Sequence, residues 1–176
     1  MALFAGLLAL LPPAAAAFTA CLFLGMALIT LADLRHFIIP DMLSLPAIPL
    51  GLAAHALILK EGDWLMGISD GLMGAVLGGG AFFLLRSLYF RLRGVEGLGL
   101  GDVKLAAAAG AWLGPSALAP ACLVAALAAL AGVLRHAGFS GRPQLHARLH
   151  IPFGSFIAPT IFLFWLLALA GLTPFG

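Results

Sequence analysis

The chain has 176 residues, of which 63% are hydrophobic and only 9% charged, with a mean hydropathy of +1.14 and a net charge of +2. A soluble domain carries roughly 25% charged residues, so too little polar side chain is present to cover a water-facing surface. A soluble globular fold is excluded, and the expectation is an all-α, polytopic membrane helix bundle of about six transmembrane helices, with residues 1–176 forming a single domain.

From the amino end, Met1 to Leu11 lacks the Lys or Arg that opens a secretory signal, and Pro12-Pro13 separates it from the next apolar run. The segment is expected to lie at the outer interface or to extend the first span. A hydrocarbon core about 30 Å thick needs roughly 20 apolar residues per helix. Reading outward from the charges places spans near 14–32, 43–59, 65–88, 103–114, 116–134 and 153–172. Cys21 and Cys122 fall inside apolar runs without a Cys-x-x-Cys partner, so they read as small membrane-core residues.

The region 103–134 is ambiguous, because a single long helix competes with a hairpin broken at Gly114-Pro115. The excess of Lys and Arg in cytoplasmic loops decides between them. With the hairpin, Arg35, Arg86, Arg91, Arg93, Lys104, Arg135, Arg142 and Arg148 share one side, and only Lys60 lies on the other. With a single helix the last three cross over and the asymmetry falls to five against four. The hairpin is the better partition. It puts the basic loops in the cytoplasm and both termini outside.

Gly67, Gly71, Gly74 and Gly78 repeat at small-xxx-small spacing in the third span, which ends in Gly78-Gly79-Gly80, and Ala106 to Gly110 forms a similar stretch in the fourth. Such residues let helix backbones approach in lipid, so both read as packing faces.

Charged side chains inside a bilayer cost about 2.5–3.5 kcal/mol or more, which makes membrane carboxylates functional candidates. Two stand out, both on the cytoplasmic side of the hairpin topology. Asp33 begins Asp33-Leu34-Arg35-His36-Phe37-Ile38-Ile39-Pro40-Asp41. Pro40 cannot continue a helix and holds Ile39 extended, leaving Asp33 at a helix end before an apolar patch, Phe37 to Ile39, expected to be buried. The plain structural alternative is an interfacial loop with Asp33 paired to Arg35 or His36. Asp102 closes Gly99-Leu100-Gly101-Asp102 and precedes Val103-Lys104. Gly99 and Gly101 permit a sharp turn, and Asp102 is expected in the first helical turn, where the dipole favours a carboxylate by about 0.3–1 kcal/mol. The alternative here is a plain helix cap. Glu61, Asp63 and Asp70 belong to the outer loop and helix start and read as solvated surface.

Together the two motifs resemble the paired signatures of the type IV prepilin peptidases, membrane aspartic proteases of the Gly-x-Gly-Asp kind. Ile39-Pro40-Asp41 closes the first motif, Asp102-Val103-Lys104 the second, and Ile151-Pro152-Phe153-Gly154 is similar to a third segment, with Ser155 where relatives often have Pro. The resemblance covers nearly the whole chain. It implies catalytic roles for Asp33 and Asp102, and removal of a short basic leader from a type IV prepilin-like precursor at the cytoplasmic face of the inner membrane. No metal, cofactor or nucleic acid is called for; the partners are the prepilin, membrane lipid and pilus or secretion machinery. Without the Cys-rich insert of larger relatives, the chain looks like the short, peptidase-only branch, and methylation would need another protein.

Peptide hydrolysis needs one ionised carboxylate to take a proton from water and one protonated carboxyl to polarise the scissile carbonyl. Close carboxylates in an apolar site share one proton naturally. Pro40, Gly99 and Gly101 are supporting residues, Asp41 and Glu96 candidate contacts for the leader, and His36 and Lys104 neighbours that tune protonation or are merely solvated. His55 reads as hydrogen-bonded packing, and His146 and His150 as loop residues. A metal held by Asp33, His36 and Asp102 lacks a recognisable ligand spacing. Three other readings stand beside this one. Proton-coupled transport would want acids near midplane and an internal repeat, a signal-peptide-peptidase-like site would want Tyr before the first Asp, where Ala32 stands, and a purely structural subunit leaves both motifs unexplained.

Overall fold

The computed structural model describes residues 9–60, 62–139 and 152–172. The readings of Glu61, Arg142, His146, Arg148, His150, Ile151 and most of the Met1–Leu11 segment lie outside these residues. Helix α1 spans Pro13–His36, α2 Asp41–Ala54, α3 Trp64–Arg93, α4 Leu100–Phe139 and α5 Gly154–Leu169, with a π-helical turn His55–Leu59 extending α2.

Local chemistry sets the boundaries. Pro13 starts α1 at a position where a missing N–H costs nothing, and α1 ends on Phe37, whose φ of 54° is left-handed. Pro40 precedes the first residue of α2, and Asp41 occupies that helix's first turn. Asp63 caps α3 by accepting the Met66 N–H at 3.0 Å; Gly94, at φ 70°, ends it by donating to the Phe90 carbonyl. At 30 residues, α3 is about 45 Å long, well beyond a hydrocarbon core, so one end must project past the lipid.

The break in α4 takes the hairpin form. Gly114 has φ 69° and ψ 177°; the positive φ is open to glycine, and the extended ψ suits the residue before a proline, where helix is disfavoured. The chain then doubles back: a methyl group on Gly78 would meet the Ala106 carbonyl from one arm of α4 and the Leu118 side chain, at 3.3 Å, from the other. His55 Nδ1 donates to the Trp112 carbonyl, 3.2 Å away, which lies just before the break. Among the described residues, four helices are long and apolar enough to cross a membrane, and α5 is a shorter apolar helix of 16 residues. With α4 counted as two arms, the described residues form six rods, matching the expected spans to within a few residues.

The glycine face of α3 packs as its spacing predicted. Gly67 lies against Ala56, Gly71 against Leu52 and the Ala111 carbonyl, and Gly74 against Gly110; all are buried with Gly78. Near the turn of α4, Trp112 and Trp165 meet edge to face at 5.0 Å, their indoles donating to the Ala47 carbonyl and to Thr19 Oγ1. Ring pairs of this kind add about 0.5–1.5 kcal/mol beyond burial. Cys21, expected in the core, is exposed on the outer surface of α1.

The topology sorts the charges. The end of α1, the start of α2, the end of α3, both ends of α4 and the start of α5 gather at one pole, with Arg35, Arg86, Arg91, Arg93, Lys104 and Arg135 there and Lys60 at the other.

Candidate active site

Asp33 lies in the last turn of α1 and is only 4% exposed. Its Oδ2 accepts a 2.6 Å hydrogen bond from the backbone N–H of Ser155, in the first turn of α5. No ion pair joins it to Arg35 or His36 among the described residues, so the interfacial-loop alternative fails. Ser155 escaped notice as a donor to the site. The available signal was its departure from Pro, since Pro has no N–H to give; the Ser155 hydroxyl meanwhile donates to the Pro152 carbonyl at 2.6 Å.

Asp102 is in the first turn of α4, as expected, and its Oδ2 lies beside Gly99, where an added methyl would come within 3.2 Å of it. It is not the cap itself: it stands three residues after Gly99, the position that the acidic member of a capping box takes. Asp33 Oδ2 lies beside Gly154, and Asp102 follows Gly101; both glycines pack on the same side chain, Ile39.

Ile39 sits between the two motifs. A methyl on Gly101 would come within 2.8 Å of Ile39 Cβ, and one on Gly154 within 2.7 Å of Ile39 Cδ1 and 3.0 Å of Asp33 Oδ2. Gly101 and Gly154 thus allow the Asp102 turn and the start of α5 to close on this buried side chain. The expectation that Phe37 to Ile39 is buried as a unit is corrected: Ile39 is 8% exposed, but Phe37 and Ile38 are 54% and 64% exposed. The left-handed Phe37 turns the chain outward before Pro40 brings Ile39 back.

The remaining candidates are engaged elsewhere. Lys104 Nζ donates to Asp41 Oδ1 at 2.7 Å, so Lys104 is neither free in a solvated loop nor aimed at Asp102. Arg86, with its side chain 17% exposed, donates to Glu96 at 2.6 Å and to the Leu98 carbonyl at 2.9 Å, and so pins the loop leading into Gly99. Arg86 was also unforeseen, counted only as an interfacial charge. Beside it, Phe83, Ser87, Phe90 and Arg91 line a shallow cavity of about 340 Å³, to which neither aspartate contributes. Among the described residues, no three His, Cys, Asp or Glu side chains gather to hold a metal.

A helical bundle apolar enough to cross a membrane, with Asp33 and Asp102 at its basic pole, is the class that fold and site define. Residues 20–134 match the type IV leader peptidase family, and the chain belongs to that family. It is 39% identical over 162 residues to a prepilin leader peptidase/N-methyltransferase of Burkholderia pseudomallei, covering 89% of this chain and 48% of that protein. It is 36% identical to the Aeromonas hydrophila protein of the same name, with 74% and 42% covered, and 37% identical to that of Pseudomonas aeruginosa, with 76% and 43% covered. The chain thus spans about half the length of the curated relatives it matches. No solved structure matches it. The transport reading gains no support from any of these likenesses.

Proposed function

We propose that the chain, acting as a single membrane domain, is an aspartic endopeptidase that removes the leader from type IV prepilin-like precursors. The observation that carries this reading is the convergence of Asp33 and Asp102, far apart in sequence, at one pole of the bundle around Ile39. One carboxylate, ionised, takes a proton from water as the oxygen attacks the scissile carbonyl. The other, protonated, donates its hydrogen bond to the carbonyl oxygen as charge develops there. Collapse of the tetrahedral intermediate returns the proton to the leaving amine. No cofactor is needed.

The basic pole is assigned to the cytoplasmic side of the inner membrane by the charge rule, with the pole bearing Lys60 outside. A helix in lipid hides its peptide bonds in its own ladder, so the bond that can be cut lies at the end of the substrate's apolar helix, at the depth of this site. Co-expression with a tagged prepilin tests the reading. Leader loss, read as a gel shift, is expected with the parent and is expected to vanish with Asp33→Asn and with Asp102→Asn; a full shift with either variant would refute the dyad.

A further inference from the structure

Lys104 is the fifth residue of α4, two positions after Asp102. Residues two apart on a helix do not face each other, so Lys104 does not share a direction with Asp102. It reaches instead to Asp41, the first residue of α2 and the one that follows Ile39-Pro40. The ion pair therefore joins the segment after Asp33 to the helical turn that carries Asp102. Ile39, two residues before Asp41, packs against both Gly101 and Gly154. The pair is partly exposed, at 29% for Lys104 and 60% for Asp41, and exposed pairs of this kind contribute little to overall stability. Geometry is another matter: displacing a reacting group by about 1 Å can cost on the order of a hundredfold in rate.

We propose that Asp41 and Lys104 form a latch that sets the separation of Asp33 and Asp102, making both positioning residues and not contacts for the substrate. The inference rests on the dyad reading above. It replaces two simpler roles, Asp41 as a free acid for the basic leader and Lys104 as a solvated cation. A leader contact acts through KM, which rises with Asp41→Asn and does not rise with Lys104→Gln, since that change frees the acid. A latch acts through kcat and depends on both ends together.

The test uses the full chain in lipid nanodiscs with Asp41→Asn, Lys104→Gln, the double variant and the charge swap Asp41→Lys/Lys104→Asp. Prepilin cleavage is measured as kcat and KM. Spin labels on Ile38→Cys and Leu100→Cys, both exposed positions, read the gap between the segments after Cys21 and Cys122 are replaced by Ala. Each single variant is expected to lower kcat by about tenfold with KM unchanged and to broaden the label distance. The double variant is expected to lose no more than either single one, and the swap to recover part of the loss. A rise in KM alone for Asp41→Asn, or losses that multiply in the double variant, would overturn the latch. If the parent cleaves no precursor, the dyad reading fails and the label distance alone judges the latch: a distance unchanged in both single variants refutes it.

Discussion

The two aspartates are held in different ways. Asp102 is placed by its own neighbourhood, its Oδ2 beside Gly99 three residues back, in a turn whose two glycines belong to the same short motif. Asp33 is fixed from across the molecule, by a backbone N–H at the start of α5, and it is the less solvent-exposed of the two. A locally held carboxylate keeps its geometry as long as its turn survives. One held at a distance depends on how α5 docks, which in turn depends on packing throughout the bundle.

The largest effect tests what the two share. Asp33→Asn and Asp102→Asn each keep the side-chain shape but remove the titration, and each is expected to lower the rate of leader cleavage by a factor on the order of 10³, measured with purified protein and precursor. Next comes the packing on which Asp33 depends. A methyl on Gly110 would overlap the backbone of α3 at Gly74, whereas one on Gly80 would meet nothing within 4 Å. Gly110→Ala is expected to lower stability by about 1–3 kcal/mol or more, while Gly80→Ala is neutral or slightly stabilising; thermal unfolding in detergent separates the two.

A smaller effect separates the aspartates from each other. Ser155→Pro removes the N–H that Asp33 accepts and is expected to slow cleavage several-fold, whereas Ser155→Ala keeps that N–H and stays near the parent rate. Equal effects of Ala and Pro would mean that the hydroxyl, not the backbone donor, matters. The smallest effect on activity belongs to the far pole. His55→Phe strips the donor from the Trp112 carbonyl and is expected to destabilise by about 1–3 kcal/mol, again by thermal unfolding, with cleavage by the surviving folded fraction unchanged.

The same contrast marks what could be read from sequence. The spans, the hairpin at Gly114 and the glycine face of α3 were legible because hydropathy, a Gly-Pro step and small-residue spacing are local patterns, and the charge count settled the one ambiguity. Asp102 in the first turn of α4 was legible for the same reason. The grip of Ser155 on Asp33, the pairing of Lys104 with Asp41 and the hold of Arg86 on Leu98 were not, because each joins different elements and no periodicity encodes its partner. Phe37 and Ile38 were misjudged because apolar character does not reveal that a left-handed residue turns them outward. Family resemblance named the two acids without supplying these contacts.

Leader cleavage by the double variant Asp33→Asn/Asp102→Asn, set beside the two single variants, tests most directly whether the acids work as one unit. Residues that act as a unit are strongly non-additive, so the double variant should be no slower than the slower single one. Losses that multiply would show two carboxylates acting independently, and would contradict a shared site.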